Sequence, residues 1–352
     1  MSNQKENRII KFYKKHKNGI KTIATFSFNA ITLVLAILGI LSYKNDILFF
    51  CIYFIPHISS LILLIYSYTI CKRIGIIKKE HRDNIDFIFS NNIKKVIAKL
   101  KDCENNLWNS YTKFVDVIQT TKDEEGNIIV PDIDSSNMQI FYKDIKKTSN
   151  ELFKSVVESL KTVIENHFGF SGDKKNISVC IKQLDCCYNR KSNSIPDDLH
   201  TFAIYRDHKS YDDDREIGKP YTVNKNTTFY SCLTSKASRD AYYIENDIKK
   251  ALEEHRYQCE NQDEILANGT YNATMVVPIC QNILTEKIYY GFLCIDAKES
   301  EKVIFSADEL LSILQSYSDI LATYYHNVSM YFPIIFDNYY HQYKNTENED
   351  EN

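Results

Sequence analysis

Cys180, Cys232, Cys280 and Cys294 are the residues of this chain best able to do covalent chemistry, because thiols that converge on one pocket can run a redox cycle. Free cysteine also packs as a small hydrophobe, and the ten cysteines are scattered, with only Cys186 and Cys187 adjacent. Neither the paired C-x-x-C spacing of a zinc site nor the density of a disulfide-stapled secreted domain is present, so a reducing compartment is expected. His200, His208 and His255 lack ligand-like spacing, and no metal site is expected. The acidic stretch YDDDRE, Tyr211 to Glu216, reads as a solvated loop. A Walker loop, a kinase signature, a nucleotide-cyclase motif and a serine-nucleophile elbow are all missing, so no enzymatic activity is expected and no cofactor is specified. With 43 Lys and Arg against 46 Asp and Glu, the net charge of -3 offers no basic surface for nucleic acid.

The elements that must position any such residues begin with two apolar runs. Thr22 to Tyr43 carries no charged residue, and Ile47 to Ile70 carries none apart from the ionisable His57. Each reaches the roughly 20 residues that cross a bilayer as a helix. Joined only by Lys44, Asn45 and Asp46, the two predict a tight transmembrane hairpin. Lys11, Lys14, Lys15, Lys17 and Lys21 precede it, and Lys72, Arg73, Lys78, Lys79 and Arg82 follow it. That bias places both flanks in the cytoplasm, and the chain in the plasma (inner) membrane. His57, beside Pro56, is a candidate intramembrane polar group; a neutral imidazole bonded to a nearby carbonyl is the structural alternative.

Beyond the hairpin, Ile85, Phe89, Ile93, Val96, Leu100, Cys103, Leu107, Tyr111, Phe114 and Ile118 recur every three or four residues, which predicts one long amphipathic helix with a bundle or dimer seam. Gly126 and Pro131 mark a linker over 121–139. A second amphipathic helix is predicted from Ile140, with Ile145, Leu152, Val156, Leu160, Val163 and Ile164 on one side, stopping at Gly169.

From there the pattern becomes α+β. Ile177 to Leu184 and Thr201 to Arg206 read as strands, Thr227 opens a short helix, Ala241 to Ile244 is a strand, and Asn246 and Asp247 are N-cap residues for a further helix. The stretch YNATMVVPICQNILTEKIYYGFLCID, Tyr271 to Asp296, has the character of a β-hairpin. Pro278 within it belongs at an edge or strand end, and Gly291 permits close approach of another element. Ser306 and Glu309 then form a capping-box spacing before a helix that carries Leu310, Ile313, Leu314, Tyr317 and Leu321 on one face.

This order, with the YYIENDI turn, the VVPI…YYGFLCID hairpin and the FSADELL start of the closing helix, resembles a GAF domain, the small-molecule sensor fold related to PAS. The resemblance covers 140–332. It implies an antiparallel sheet with the opening and closing helices together on one face, and a ligand enclosed by the other face and the irregular middle elements. The pocket wall it implies is Phe202, Ile204, Phe229, Tyr242, Ile244, Asn246, Asp247, Val277 and Phe292. Lys298, Phe305, Asp308 and Glu309 imitate part of the pattern of cyclic-nucleotide-binding members, one residue short in spacing.

The layout expected is therefore a basic N-terminus (1–21), two spans (22–70), a signalling helix (71–120), a linker (121–139), a GAF-like domain (140–332) and an acidic tail (333–352). It implies a membrane-anchored cytoplasmic sensor that takes a small molecule, a cyclic nucleotide among the candidates, or a partner protein. The chain is expected to form a homodimer or larger homo-oligomer and to signal through the long helix to the bilayer. In architecture it looks like membrane-acting effectors of bacterial anti-phage systems. The alternative is a constitutive membrane scaffold that dimerises and recruits protein without a ligand.

Overall fold

The computed structural model describes residues 46–120, 136–169, 176–189, 195–207, 217–235, 241–263, 265, 271–283, 286–298 and 303–331; the side chains of 46–65, 117–120, 136–140 and 142 lie outside the description. The chain divides into two compact units, Met1–Phe87 and Ile88–Asn352.

In the first unit the described backbone is one helical stretch. Helix α1 (Asp46–Thr120) begins there and ends in the second unit. The charge-free run Ile47 to Ile70 is helical throughout, His57 included. Among the described residues no helix is long and apolar enough to cross a membrane, and most of the side chains of that run lie outside this set, as does the whole of the predicted first span. Tyr66 and Tyr68 are exposed, whereas Ile74 and Ile85 are buried.

The second unit is an α+β fold. Its sheet is six-stranded and antiparallel, formed by β1 (Ile177–Asn189), β2 (His200–Arg206), β3 (Pro220–Thr222), β4 (Tyr243–Glu245), β5 (Ala273–Ile283) and β6 (Glu286–Ala297) in the order β3-β2-β1-β6-β5-β4. Helix α2 (Ser136–Phe168) packs on β1 and β2, and helix α5 (Ala307–Tyr331) on β5 and β6. Two short helices, α3 (Thr227–Thr234) and α4 (Ile248–Glu253), complete the middle of the unit. Successive residues are buried along the first part of β1 and the second part of β6, because both faces of the sheet are covered there.

Helix α2 starts at Ser136, a turn before Ile140, and ends where Gly169 takes φ 71°, a conformation that glycine adopts at little cost. Its predicted stripe is the buried one: Leu152, Val156, Leu160, Val163 and Ile164 are fully covered. The seam with α5 contains two hydroxyl pairs, Ser149 with Tyr324 and Ser159 with Tyr317, so the tyrosines are buried with partners for their polar ends. The second half of α1 closes this bundle. Val96, Leu100, Cys103 and Leu107 are buried, the Cys103 thiol reaches the Thr148 carbonyl at 3.5 Å, Asn327 donates to Glu104 at 2.9 Å, and Phe114 meets Phe141 edge to face. Residues 96–114 thus share a core with the helices of the sheet unit.

The hairpin pairs from Ala273↔Ala297 to Ile283↔Glu286. Pro278 is tolerated because β4 pairs only with Thr274 to Val276, which leaves the outer edge of β5 open beyond that point. Its carbonyl instead accepts a 2.7 Å hydrogen bond from Ser318 of α5. Gly291 sits opposite Gln183, where a Cβ would lie 2.0 Å from the Lys182 carbonyl oxygen.

Candidate functional site

The face of the sheet turned away from α2 and α5 carries a second cluster, Cys180, Leu184, Ala203, Val276, Phe292 and Cys294, and α3 closes over it with Phe229, Cys232 and Leu233. Phe229 lies against Phe292 with ring centroids 4.8 Å apart. Lys182, between Cys180 and Leu184 on β1, shares their face by the period of two. Its amine stands 4.0 Å from the centroid of the Tyr221 ring and 5.0 Å from that of Phe229.

A bulge determines the next residue. Lys182 pairs with Ala203, but Ile181 pairs with Tyr205, so Ile204 is an extra residue on β2. Without it Arg206 would share a face with Phe202 and Ile204. With it, Arg206 pairs with Cys180 and turns into the cavity, while Tyr205 turns towards α2. Bulges commonly re-aim a side chain in this way beside functional sites.

The result is a small cavity of about 40 Å³ between the sheet, α3, Tyr257, Asn261 and Tyr271. Lys182, Arg206, Phe229, Tyr257, Tyr271 and Asp296 are among its walls. Arg206 is 5% exposed, and neither its Nε nor its Nη1 has a hydrogen-bond partner among the described residues. Burial opposes its charge, but the acidic groups around it, Cys180, Asp296 and Tyr221 among them, outweigh that and hold its pKa above the ordinary arginine value. Asp296, also buried, accepts a 2.8 Å hydrogen bond from Thr274. The Tyr257 phenol is pushed well up by burial and by its neighbour Tyr271, so it is neutral at ordinary pH. Among the described residues, two cations and one carboxylate line the wall, one net positive charge.

Of the residues expected from the resemblance, Phe229 lines this cavity, and Phe292 packs against it in the adjoining core without reaching the wall. Phe202, Ile204 and Val277 are buried outside that cluster; Val277 pairs with Leu293 and Phe202 with Gln183, on the helix-covered side of the sheet. Tyr242 is exposed, and Ile244 pairs with Met275 in the short β4. Asn246 is a clamp: its Nδ2 donates to the Phe305 carbonyl at 3.1 Å and its Oδ1 accepts from the Phe305 amide at 2.7 Å. Asp247 caps α4 by accepting from the Lys250 amide. Phe305, Asp308 and Glu309 stand at the start of α5, with Glu309 3.3 Å from His167, and do not line the cavity. The side chain of His57 lies outside the described residues.

Sequence reading did not single out Lys182, Arg206, Tyr257 or Asp296. Asp296 ends the apolar run of β6, and Arg206 ends that of β2; a charge closing a buried strand was the only visible sign. The four cysteines do gather around this core: Cys180 pairs with Cys294 across the sheet, and Cys232 and Cys280 pack against the same cluster. All are free thiols, and burial pushes Cys232, Cys280 and Cys294 up, away from the reactive thiolate. Among the described residues no group of three or more His, Cys, Asp or Glu is placed to hold a metal ion.

Compared with protein-family models and with curated proteins, the chain matches none. The fold class, helices on an antiparallel half-barrel sheet, and the cavity on its other face are what define it.

Proposed function

We propose that this chain is a membrane-anchored, cytoplasm-facing sensor of GAF-like type that binds a small molecule in the cavity beside Arg206 and signals without turning it over. The observation that carries the reading is a division of labour across one sheet. A cavity with a charged wall occupies one face, and the opening and closing helices α2 and α5 occupy the other, the arrangement that the GAF resemblance implies.

A physical route joins the two faces. Arg206 points into the cavity, and the adjacent Asp207 is ion-paired with Lys161 of α2. Filling the cavity would bias the packing of α2 against α1 and α5, provided that the ligand favours one packing over another. The bundle half of α1 would then pass the change along the helix towards its apolar beginning.

Support for the membrane part is that α1 is helical through the charge-free run Ile47 to Ile70, longer than the roughly 20 residues a bilayer requires. Exposed Tyr66 and Tyr68 close the run, and Lys72 and Arg73 follow, the order of an interfacial aromatic belt and a cytoplasmic flank. Binding without turnover is supported by thiols that burial keeps protonated. An output at the bilayer, of the kind used by membrane-acting defence effectors, accords with this layout.

The test uses the full-length chain. It should stay in the membrane fraction after alkaline carbonate washing, and in detergent its native mass should exceed its denatured mass by that of a small molecule. Retention with an empty cavity, unshifted by added metabolites, would leave the constitutive scaffold as the better reading. Release by carbonate would remove the membrane anchor altogether.

A further inference from the structure

We infer that the cavity takes an oxyanion, a carboxylate or phosphate carried by a small organic molecule, held at Arg206. The inference rests on the sensor reading and assigns its ligand class.

A guanidinium turned away from water with unpaired N–H groups is costly unless something pairs with it. Arg206 is in that condition: it is 5% exposed, and Nε and Nη1 have no hydrogen-bond partner among the described residues. It reaches the cavity only because Ile204 is inserted in β2, so the strand departs from regular pairing at the one place where that delivers a charge to the cavity. The planar fork of arginine matches carboxylate and phosphate oxygens better than any neutral group.

The rest of the wall agrees in sign. Lys182 adds a second cation, its amine set over the Tyr221 ring, and Asp296 offsets only one of the two. Asp296 is itself tied to Thr274, which fixes one carboxylate oxygen. A cationic ligand would meet a net positive wall, and an uncharged acceptor would take the Arg206 N–H groups without answering the excess charge. An oxyanion satisfies both conditions at once, and the uncharged side chains of Phe229 and Tyr257 remain to cover the body that carries it.

The experiment is thermal unfolding of the full-length chain in detergent, at constant ionic strength, in sodium chloride, sodium acetate and sodium phosphate. Acetate or phosphate should raise the midpoint over chloride by about 3 °C or more, and the more effective anion identifies the headgroup. Arg206→Met should abolish the anion-specific rise, and Arg206→Lys should retain part of it. If Arg206→Met does not fold, Lys182→Met serves instead and should reduce the rise. Equal midpoints in all three salts, or a rise that is unchanged in Arg206→Met, would overturn the inference. Native mass spectrometry of the same preparation separates the two failures. An uncharged or cationic molecule bound to an anion-insensitive protein sinks the oxyanion and leaves the sensor, whereas an empty, anion-insensitive protein sinks both.

Discussion

The carboxylate of Asp207 is ion-paired with the Lys161 amine of α2, and both side chains are buried. Lys161 also stands 3.8 Å from Glu165, one turn further along α2, so the pair is anchored on the helix side as well. Asp207 follows the arginine of the cavity, and its own amide is fixed to the Val179 carbonyl at 3.1 Å. Removing one partner of such a pair leaves the other charge buried and unanswered. Lys161→Met is expected to lower stability by about 3 kcal/mol. The double change Lys161→Met, Asp207→Asn should recover most of that loss, because the buried Asp207 charge goes with its partner and only the partly exposed Glu165 loses a neighbour. Urea unfolding of the three proteins checks it, and a double mutant no more stable than Lys161→Met would show that the pair is not a unit.

Gly291 has no room for a side chain. The obstacle to a Cβ is the backbone oxygen of Lys182, at 2.0 Å, and the Gln183 Cα at 3.0 Å, neither of which can swing aside as a flexible side chain would. Gly291→Ala must push β6 away from β1, in the centre of the sheet. A loss of about 3 kcal/mol is expected, the upper end for overpacking a closed core. Lys182 belongs to the cavity wall, so the same substitution should also weaken the anion-specific thermal shift. A variant as stable as the parent would mean that β1 and β6 separate there at little cost.

Asn246 ties the start of α4 to the start of α5 with two hydrogen bonds to a single residue, Phe305. Alanine at this position leaves a backbone N–H and a carbonyl without partners, which costs about 2 kcal/mol. Asp is more informative than Ala here. Asn246→Asp keeps the 2.7 Å acceptor for the Phe305 amide but sets a carboxylate oxygen against the Phe305 carbonyl, so it should be no better than Ala at neutral pH and should improve on acidification. Midpoints that do not differ between pH 7 and pH 5 in Asn246→Asp would remove the second hydrogen bond from the account.

Much of the fold is legible in the sequence, because helical and strand periodicities are local. The stripe of Val96, Leu100, Cys103 and Leu107, the stripe of Leu152, Val156 and Leu160, and the hairpin around Gly291 all bury the residues that their spacing nominates. The candidate site is less so, and the reason is register. Strict alternation through TFAIYR puts Phe202, Ile204 and Arg206 on one face; the extra residue at Ile204 sends Arg206 to the other, and no residue type in that run announces it. Phe229 and Phe292 were visible as aromatics, but Asn246 and Asp247, legible as turn residues, serve as a clamp and a cap away from the cavity. Which face of a sheet carries chemistry depends on one inserted residue, a long-range property of the pairing and not of the segment.

Alkaline pH should unfold this protein through its buried acids. The Cys103 thiol, in the seam of α1 and α2, is pushed up to about 11 by burial, with the Lys99 amine acting against the rise. Burial likewise pushes the Tyr317 and Tyr290 phenols up to about 12. In the unfolded chain these groups release their protons near their ordinary values, 9.0 for the thiol and 10.0 for the phenols. Between those values and the folded ones the unfolded state binds fewer protons than the native state, so stability falls as pH rises. The contribution is complete below pH 9 and is lost progressively up to pH 12. The urea midpoint should therefore hold steady from pH 7 to 8.5 and then decline. Tyr317→Phe has no proton to hold and should flatten part of that decline, at the expense of its 2.7 Å hydrogen bond with Ser159. The same burial predicts which thiols react: Cys71, Cys186 and Cys187 should be alkylated in the native protein, and Cys103, Cys232 and Cys294 only after unfolding. A midpoint that does not change from pH 8.5 to 11, or rapid native alkylation of Cys294, would show that this core is open to water.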